Sequence, residues 1–228
     1  MTKLKLPTYI TKLPSTGVSV EYRPFTVREE KSLLLALQEA DVETINIAIK
    51  NVISSCTFEK IDPLNVPYYD IEFLFLQIRS KSIGEIIDLI GSCECSEEAK
   101  TEFSVDIADI KIEPAPIGKK TISIPDTDKI IEIRHPSIDD FAISIKEPEE
   151  ISKIVANCIV SISDDEETFT YSKEELIEFV DSMTPKQQKD IANFLQEMPL
   201  VKLNTKYTCV KCKKEHNSYI SGYENFFV

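Results

Sequence analysis

Apolar and polar residues alternate over residues 18–23, near the start of the chain. A period of two residues is typical of a half-buried strand, and Gly17 in front of it provides a turn signal. The pattern then changes, because Thr26 and Glu29 have the spacing of a capping box and a leucine-rich stripe follows them. The first part of the chain therefore predicts a hairpin strand that leads into a helix over 27–39.

A repeat of apolar residues every three to four positions predicts more helices further along the chain. Two of them begin at further capping-box sequences, one formed by Ser172 and Glu175 and the other by Thr184 and Gln187. Pro185 fits the first turn of its helix, where a missing N–H group costs no hydrogen bond. The predicted helices after the first cover residues 42–55, 69–82, 137–146, 148–162, 172–183 and 185–198.

Short alternating runs, separated by turn residues and prolines, predict small antiparallel strand pairs. The predicted strands cover 85–93 and 101–107, several short runs within 110–134, and 200–209 and 216–221. We therefore predict an α+β fold that is mostly helical, with small antiparallel strand pairs and a split zinc-ribbon-like element as a further possibility. The expected parts are 1–108 with the hairpin, helices and first cysteine hairpin, 109–136 as a small β insertion, and 137–228 as an acidic helical region ending in a Cys-x-x-Cys hairpin.

The helix predicted over 69–82 carries apolar residues on two sides. Its main stripe includes Leu74 and Phe75, whereas Phe73 and Leu76 lie off this stripe. A helix that is apolar on two sides is either fully buried or contacts a second surface. Both alternatives are open, and under the second Phe73 and Leu76 are the candidate partner-binding residues.

Composition narrows the classes of protein to consider. Of the 228 residues, 42% are hydrophobic and 29% are charged, which is ordinary for a soluble globular protein. No apolar run approaches the roughly 20 residues that a membrane span needs, and no apolar core of a signal peptide follows the N-terminal lysines. We therefore expect a cytosolic protein without a membrane partner, in a reducing compartment where disulfides are rare.

The net charge of −13 is unevenly distributed along the chain. Residues 137–183 hold 13 acidic residues against 3 lysines, whereas the last 28 residues hold 5 lysines against 2 glutamates. A strongly acidic body repels phosphate groups, so we expect no nucleic-acid partner. The acidic region is then either an ordinary solvated face or a surface that steers a basic protein partner.

The chain contains six cysteines, which need an explanation other than disulfides. Cys209 and Cys212 form a Cys-x-x-Cys pair between two predicted strands, where two thiolates can reach one zinc ion. A structural zinc site needs four ligands; Cys93 and Cys95 are the other close pair, although Cys-x-Cys spacing is tighter than in a standard knuckle. His216 is an alternative ligand. Free cysteines and a redox dithiol remain alternatives, although a redox Cys-x-x-Cys normally opens a helix in a βαβ setting.

Several short segments of the chain carry a resemblance to a known family. They are Leu13–Gly17, Tyr22–Lys31 with the leucine run after it, Val52–Phe58, Tyr69–Glu85, and the C-terminal Cys-x-x-Cys with Gly222–Phe227. In this order they resemble the T4-type bacteriophage baseplate hub assembly protein family. The resemblance is best over residues 10–95 and extends over 110–205 only in outline.

The resemblance implies a non-enzymatic, chaperone-like assembly factor or minor structural component of the central hub of a contractile-tail baseplate. The implied partners are other baseplate hub proteins and the tape-measure protein. The implied locations are the host cytoplasm during assembly and the virion baseplate.

The motifs of common enzymes are missing from the sequence, which contains no P-loop, no GxGxxG and no Gly-x-Ser-x-Gly. We therefore predict no catalytic residue. A metal-dependent hydrolase would need an open metal position, which four cysteine ligands do not leave. The main alternative function is a zinc-ribbon regulatory protein of phage transcription or replication, against which the acidic charge argues.

Overall fold

A computed structural model of the chain describes residues 4–141, 148–164, 167–169 and 171–222. In the first half, a short hairpin leads into three helices, a long hairpin and a short strand. These elements are β1 (Tyr9–Lys12), β2 (Ser19–Tyr22), α1 (Val27–Glu39), α2 (Val42–Cys56), α3 (Tyr68–Ser82), β3 (Ile86–Cys93), β4 (Ser96–Asp106) and β5 (Lys111–Glu113).

In the second half, strands and helices alternate and a final hairpin follows. These elements are β6 (Lys119–Ser123), β7 (Ile130–Arg134), α4 (Ile138–Phe141), α5 (Pro148–Cys158), β8 (Ile159–Ser163), β9 (Thr168–Phe169), α6 (Lys173–Ser182), α7 (Pro185–Gln196), β10 (Leu200–Thr208) and β11 (Glu215–Ile220).

The strands described by the structure form four sheets, and their pairings are antiparallel. The strand orders are β1-β2, β3-β4, β11-β10-β5 and β6-β7-β8-β9. Strand β10 pairs with its hairpin neighbour β11 on one side and with the distant β5 on the other, where Val201 lies opposite Ile112. The last hairpin is therefore tied to the middle of the chain.

The prediction of a mostly helical fold is wrong. Of the described residues, 39% are helical and 30% lie in strands, so the fold is mixed α+β. One error lies at 148–162, where α5 ends at Cys158 and an isoleucine-containing run continues as β8. By periodicity alone, a short buried apolar run fits a helix or a strand, and the β-branched Ile159, Val160 and Ile162 are the signal that favours the strand. Of the helix predicted over 137–146, α4 covers the first part, and 142–147 lie outside the described residues.

The split zinc-ribbon-like element of the predicted fold is not established either. The two cysteine-bearing hairpins lie in different sheets, one two-stranded and the other extended by β5. They come from the β3–β4 and β10–β11 connections, which are far apart in the sequence. The site must therefore be described from its own geometry.

The three predicted capping boxes are confirmed at the starts of α1, α6 and α7. In α1, the Glu29 N–H donates to the Thr26 hydroxyl at 3.4 Å, and the Thr26 N–H donates to the Glu29 carboxylate at 2.6 Å. The Arg23 guanidinium pairs with the same carboxylate at 2.8 Å. The start of α1 is therefore held by the segment that leads into it.

In the described part of the chain, buried side chains form two large hydrophobic cores and a small third cluster of Cys93, Ala99 and Cys209. The first core packs the N-terminal hairpin and α1–α3 against β3 and β10, and it includes Leu203. The second core packs β6–β8 against α5–α7, and it includes Phe194. The buried His135 lies between them, with its ring centroid 5.7 Å from that of Tyr69 and 4.1 Å from that of Phe194.

The predicted division into 1–108, 109–136 and 137–228 stays a prediction. The first core takes in β10 from the last of these segments, and the second core begins with β6. Within the described ranges, no helix has the length and apolar character needed to cross a membrane.

Candidate metal centre

Two hairpins from distant parts of the chain carry four cysteines. Cys93 ends β3, and Cys95 lies in the tight turn to β4. Cys209 directly follows β10, and Cys212 lies in the longer turn to β11. This longer turn is closed by a backbone hydrogen bond in which the Cys209 N–H donates to the Lys214 carbonyl at 2.9 Å. Each cysteine pair is therefore presented at the end of a hairpin.

The four sulfur atoms converge on one point, because they all lie within 4.8 Å of one another. The Sγ atoms of Cys93 and Cys212 are 3.7 Å apart, and so are those of Cys95 and Cys209. Zinc–sulfur bonds of about 2.3 Å in a tetrahedron require sulfur–sulfur distances of about 3.8 Å. A disulfide bond would instead be about 2.05 Å long. The two 3.7 Å contacts match this tetrahedral spacing, and the cluster as a whole is close enough to hold one ion.

The electrostatics of the site favour a thiolate at Cys209. Its pKa is lowered to about 6, chiefly because the Cys212 backbone N–H donates to its Sγ, at 3.5 Å. The pKa of Cys95 is raised to about 12 by desolvation and by hydrogen bonds with the other three thiols. Neighbouring thiols therefore share their protons unequally, and a cation at the centre would favour loss of the protons from all of them.

A tyrosine sets the spacing between the two hairpins beside the cysteines. Tyr207 of β10 stacks between Phe103 of β4 and His216 of β11, with ring centroids 4.8 Å apart in both pairs. Its hydroxyl donates to the Ser92 carbonyl at 2.6 Å. Its ring covers Gly91, where an added Cβ would lie 2.4 Å from the nearest ring atom. Position 91 therefore has no room for a side chain.

Two polar contacts join the β10–β11 turn to β4, beside the cysteines. The Val210 N–H donates to the Thr101 hydroxyl at 3.2 Å, and the Lys211 ammonium group donates to the Ser96 hydroxyl at 2.9 Å. Sequence reasoning missed these residues and the stacked tyrosine. One signal was available, since Gly91 inside a predicted strand indicates the close approach of another group.

His216, the alternative ligand predicted from the sequence, lies outside this cluster. Among the described residues, the metal-binding atoms of the four cysteines lie close enough together to hold one metal ion. No histidine or acidic side chain of the described residues belongs to this group. The imidazole of His216 lies on the Tyr207 ring at an interplanar angle of 9°, and its Nε2 is buried without a hydrogen-bond partner in the described part of the chain. The structure thus brings the two cysteine pairs together.

The candidate partner-binding residues of α3 lie in and against the first core. Leu76 is 0% exposed, and Phe73 is half-buried against the same core. Leu76 is therefore not accessible to a partner in this structure. A docking role for this helix stays a prediction, and it rests on Phe73.

Fold and site together define a mixed α+β protein with a candidate tetracysteine metal centre. The chain belongs to the T4 bacteriophage base plate protein family, whose model matches residues 6–228. The resemblance found in the sequence is confirmed at this level. No curated protein and no solved structure matches the chain. The family indicates a structural or assembly role in the phage baseplate, with other baseplate proteins as partners.

Proposed function

We propose that the protein is a non-enzymatic assembly factor or minor structural component of the central hub of a contractile-tail baseplate. The observation that carries the proposal is the family match over residues 6–228. The protein docks onto other hub proteins and the tape-measure protein in the host cytoplasm, and if it is retained after assembly it lies in the virion baseplate. Its cofactor is one structural metal ion at the four cysteines, and it has no catalytic residue.

Exposed apolar side chains on α1 and α2 support docking as the mode of action. Leu35 of α1 is 62% exposed and Ile47 of α2 is 47% exposed. Both line the groove between the two helices. Because exposed apolar clusters often mark interaction sites, this groove is a more accessible docking surface than Phe73 and Leu76 on α3.

Co-purification from infected cells tests the proposal. Tagged wild-type protein is expected to recover hub proteins, and Leu35→Asp is expected to lower that recovery roughly tenfold or more, since a charge would be buried at the interface. Ile117→Asp is the matched control, because Ile117 is 56% exposed and lies between β5 and β6. Both variants must have the melting temperature of the wild-type protein, so that a loss of recovery is not caused by unfolding. Recovery of no baseplate protein by the wild-type chain would overturn the proposal.

Two further comparisons refine the result. Phe73→Asp tests the prediction for α3, because loss of recovery with an intact fold indicates docking, whereas unfolding identifies a core residue. The composition of purified particles then separates a retained hub component from a factor that leaves after assembly.

A regulatory role in phage transcription or replication is the second candidate. The basic C-terminal hairpin favours it, because residues 200–222 hold five lysines and one glutamate. The net charge of −13 argues against it, and we expect negligible binding to DNA or RNA even at low salt. Salt-sensitive, sequence-selective binding in a mobility-shift measurement would favour regulation over hub assembly.

A further inference from the structure

We infer that Cys93, Cys95, Cys209 and Cys212 together bind one zinc ion, and that this ion holds the β3–β4 hairpin against the β10–β11 hairpin. The inference goes beyond the hub proposal, because it names the metal and its effect on this chain alone. It can hold or fail without any partner protein.

The two hairpins supply complementary halves of the site. Each provides one buried cysteine, Cys93 or Cys209, and one exposed cysteine, Cys95 or Cys212. Both of the 3.7 Å sulfur contacts run between the hairpins. Neither hairpin can therefore supply four thiolates to an ion without the other.

The chemistry of the ligands selects the class of metal. Four thiolates are soft ligands that favour zinc or iron over magnesium and calcium, and tetrahedral geometry suits both of the favoured metals. Four protein ligands leave no open position for water or substrate, which is the pattern of a structural zinc site. Iron is the competing occupant, and its coloured thiolate complexes would distinguish it.

Charges of both signs lie beside the cysteines, because the β10–β11 turn carries lysines whereas the β3–β4 hairpin carries Glu94 and Glu98. A zinc ion with four thiolates has an excess of negative charge, which nearby cations stabilise. Lys211, Lys213 and Lys214 belong to the same turn as two of the ligands. The Lys211 ammonium group is also held across the hairpin junction by Ser96, at 2.9 Å.

The ion is expected to control the ends of the hairpins rather than the whole fold. The base of β10 is anchored separately, because Leu203 lies in the first core and Val201 pairs with Ile112 of β5. Near the cysteines, the hairpins are joined by the Tyr207 stack and by two polar contacts. Loss of the ion should therefore open the hairpin ends and leave the helices folded.

Metal analysis of protein purified without chelators tests the first half of the inference. We expect one zinc ion per chain, and a loss of roughly tenfold or more in Cys95→Ser and in Cys212→Ser, because a tetrahedral site needs all four ligands. Both residues are exposed, so these changes spare the core. Val210→Ser, at a 56% exposed position of the same turn, is the matched control and should keep its zinc, as should His216→Ala.

The zinc assignment would be overturned if the wild-type protein contained no metal or contained iron instead of zinc. It would also be overturned if the Cys95→Ser variant kept its zinc. Hub co-purification is measured on the same preparation, so failure of the metal site and failure of the hub proposal are separate results.

Hydrogen exchange tests the second half. Chelation should accelerate amide exchange roughly tenfold or more at the ends of β3, β4 and β11 next to the cysteines, because local opening controls exchange. Exchange in α5–α7 should not change. Zinc that can be removed with no change in hairpin exchange would show that the ion does not hold the hairpins together.

Discussion

The two hydrophobic cores differ in how they are assembled along the chain. The second core uses side chains between Ile122 and Leu195, from elements that follow one another. The first core combines the N-terminal hairpin and the first helices with β10, which comes from the far end of the described chain. The comparison shows that a core built from neighbouring elements and a core that needs distant segments can coexist in one chain of ordinary length.

The cores also differ in their polar content. The first core region encloses the Asp70 carboxylate of α3, which is 0% exposed and accepts hydrogen bonds from both the backbone N–H and the hydroxyl of Ser15. Burial raises the pKa of Asp70 to about 6, although the two hydrogen bonds oppose the shift. At the second core, the buried His135 has a lowered pKa because burial disfavours its charged form. The first core therefore includes a buried acid, and the junction between the two cores includes a buried base. The pKa shift of each group favours its neutral form.

The strongest test of the comparison is the removal of side-chain volume from each core. Leu203→Ala should lower the free energy of unfolding by about 2–5 kcal/mol and accelerate amide exchange in α3, because β10 contacts α3 and the substitution leaves a cavity in their shared core. Ile162→Ala, at an equally buried position of the second core, should instead accelerate exchange in α5–α7. If both variants loosen both cores alike, the molecule is one cooperative unit and the distinction fails.

The second-largest expected effect is a pH dependence of the free energy of unfolding that comes from Asp70 in the first core. Because the pKa of Asp70 is higher in the folded state than its ordinary value of 3.8, the folded protein binds the proton more tightly. The free energy of unfolding should therefore rise as pH falls from about 7 to about 4. Asp70→Asn should remove this dependence and stabilise the protein by up to about 3 kcal/mol at pH 8.

Denaturant unfolding across this pH range measures the effect as a difference from wild type, in which the contribution of His135 cancels. Asp190→Asn, which removes the same charge at an exposed position of α7, is the control. A flat difference curve for Asp70→Asn would contradict the raised pKa of Asp70.

The smallest expected effect concerns the helix caps, where the two regions should behave alike. Thr26→Ala at α1 and Thr184→Ala at α7 should each cost about 1 kcal/mol, because each removes a hydroxyl that caps its helix. Thermal midpoints measure both. Equal losses would show that caps act locally whatever core they serve, and an unchanged midpoint for Thr26→Ala would contradict its capping role.

The features that sequence predicted best are those with a local cause. The capping boxes and the helices after them depend on residues three or four positions apart, so the sequence shows them directly. The boundary at Cys158 was missed because an apolar run fits either element. The pairing of β10 with β5 has no local signal, and it could be found only in three dimensions.

The candidate metal centre was predictable in its ligands and not in its surroundings. Two close cysteine pairs between predicted strands indicated a shared site, and the structure brings these pairs together. The ring of Tyr207 over Gly91 depends on the packing of two separate hairpins, which spacing along the chain does not encode. The burial of Leu76 likewise depends on what surrounds α3, and a two-sided apolar helix pattern left that open.

The position of β10 late in the chain has a consequence for synthesis on the ribosome. A growing chain is extended at roughly 5–20 residues per second, so Leu203 is added roughly 6–25 s after Ile78 of α3, its fellow member of the first core. During this interval, the apolar face of α3 lacks its contact with β10, and the last segment of the second core, which includes Leu195, is added only eight residues before Leu203. The first core, although most of its residues are made early, can therefore be completed only after nearly the whole second core has been synthesised.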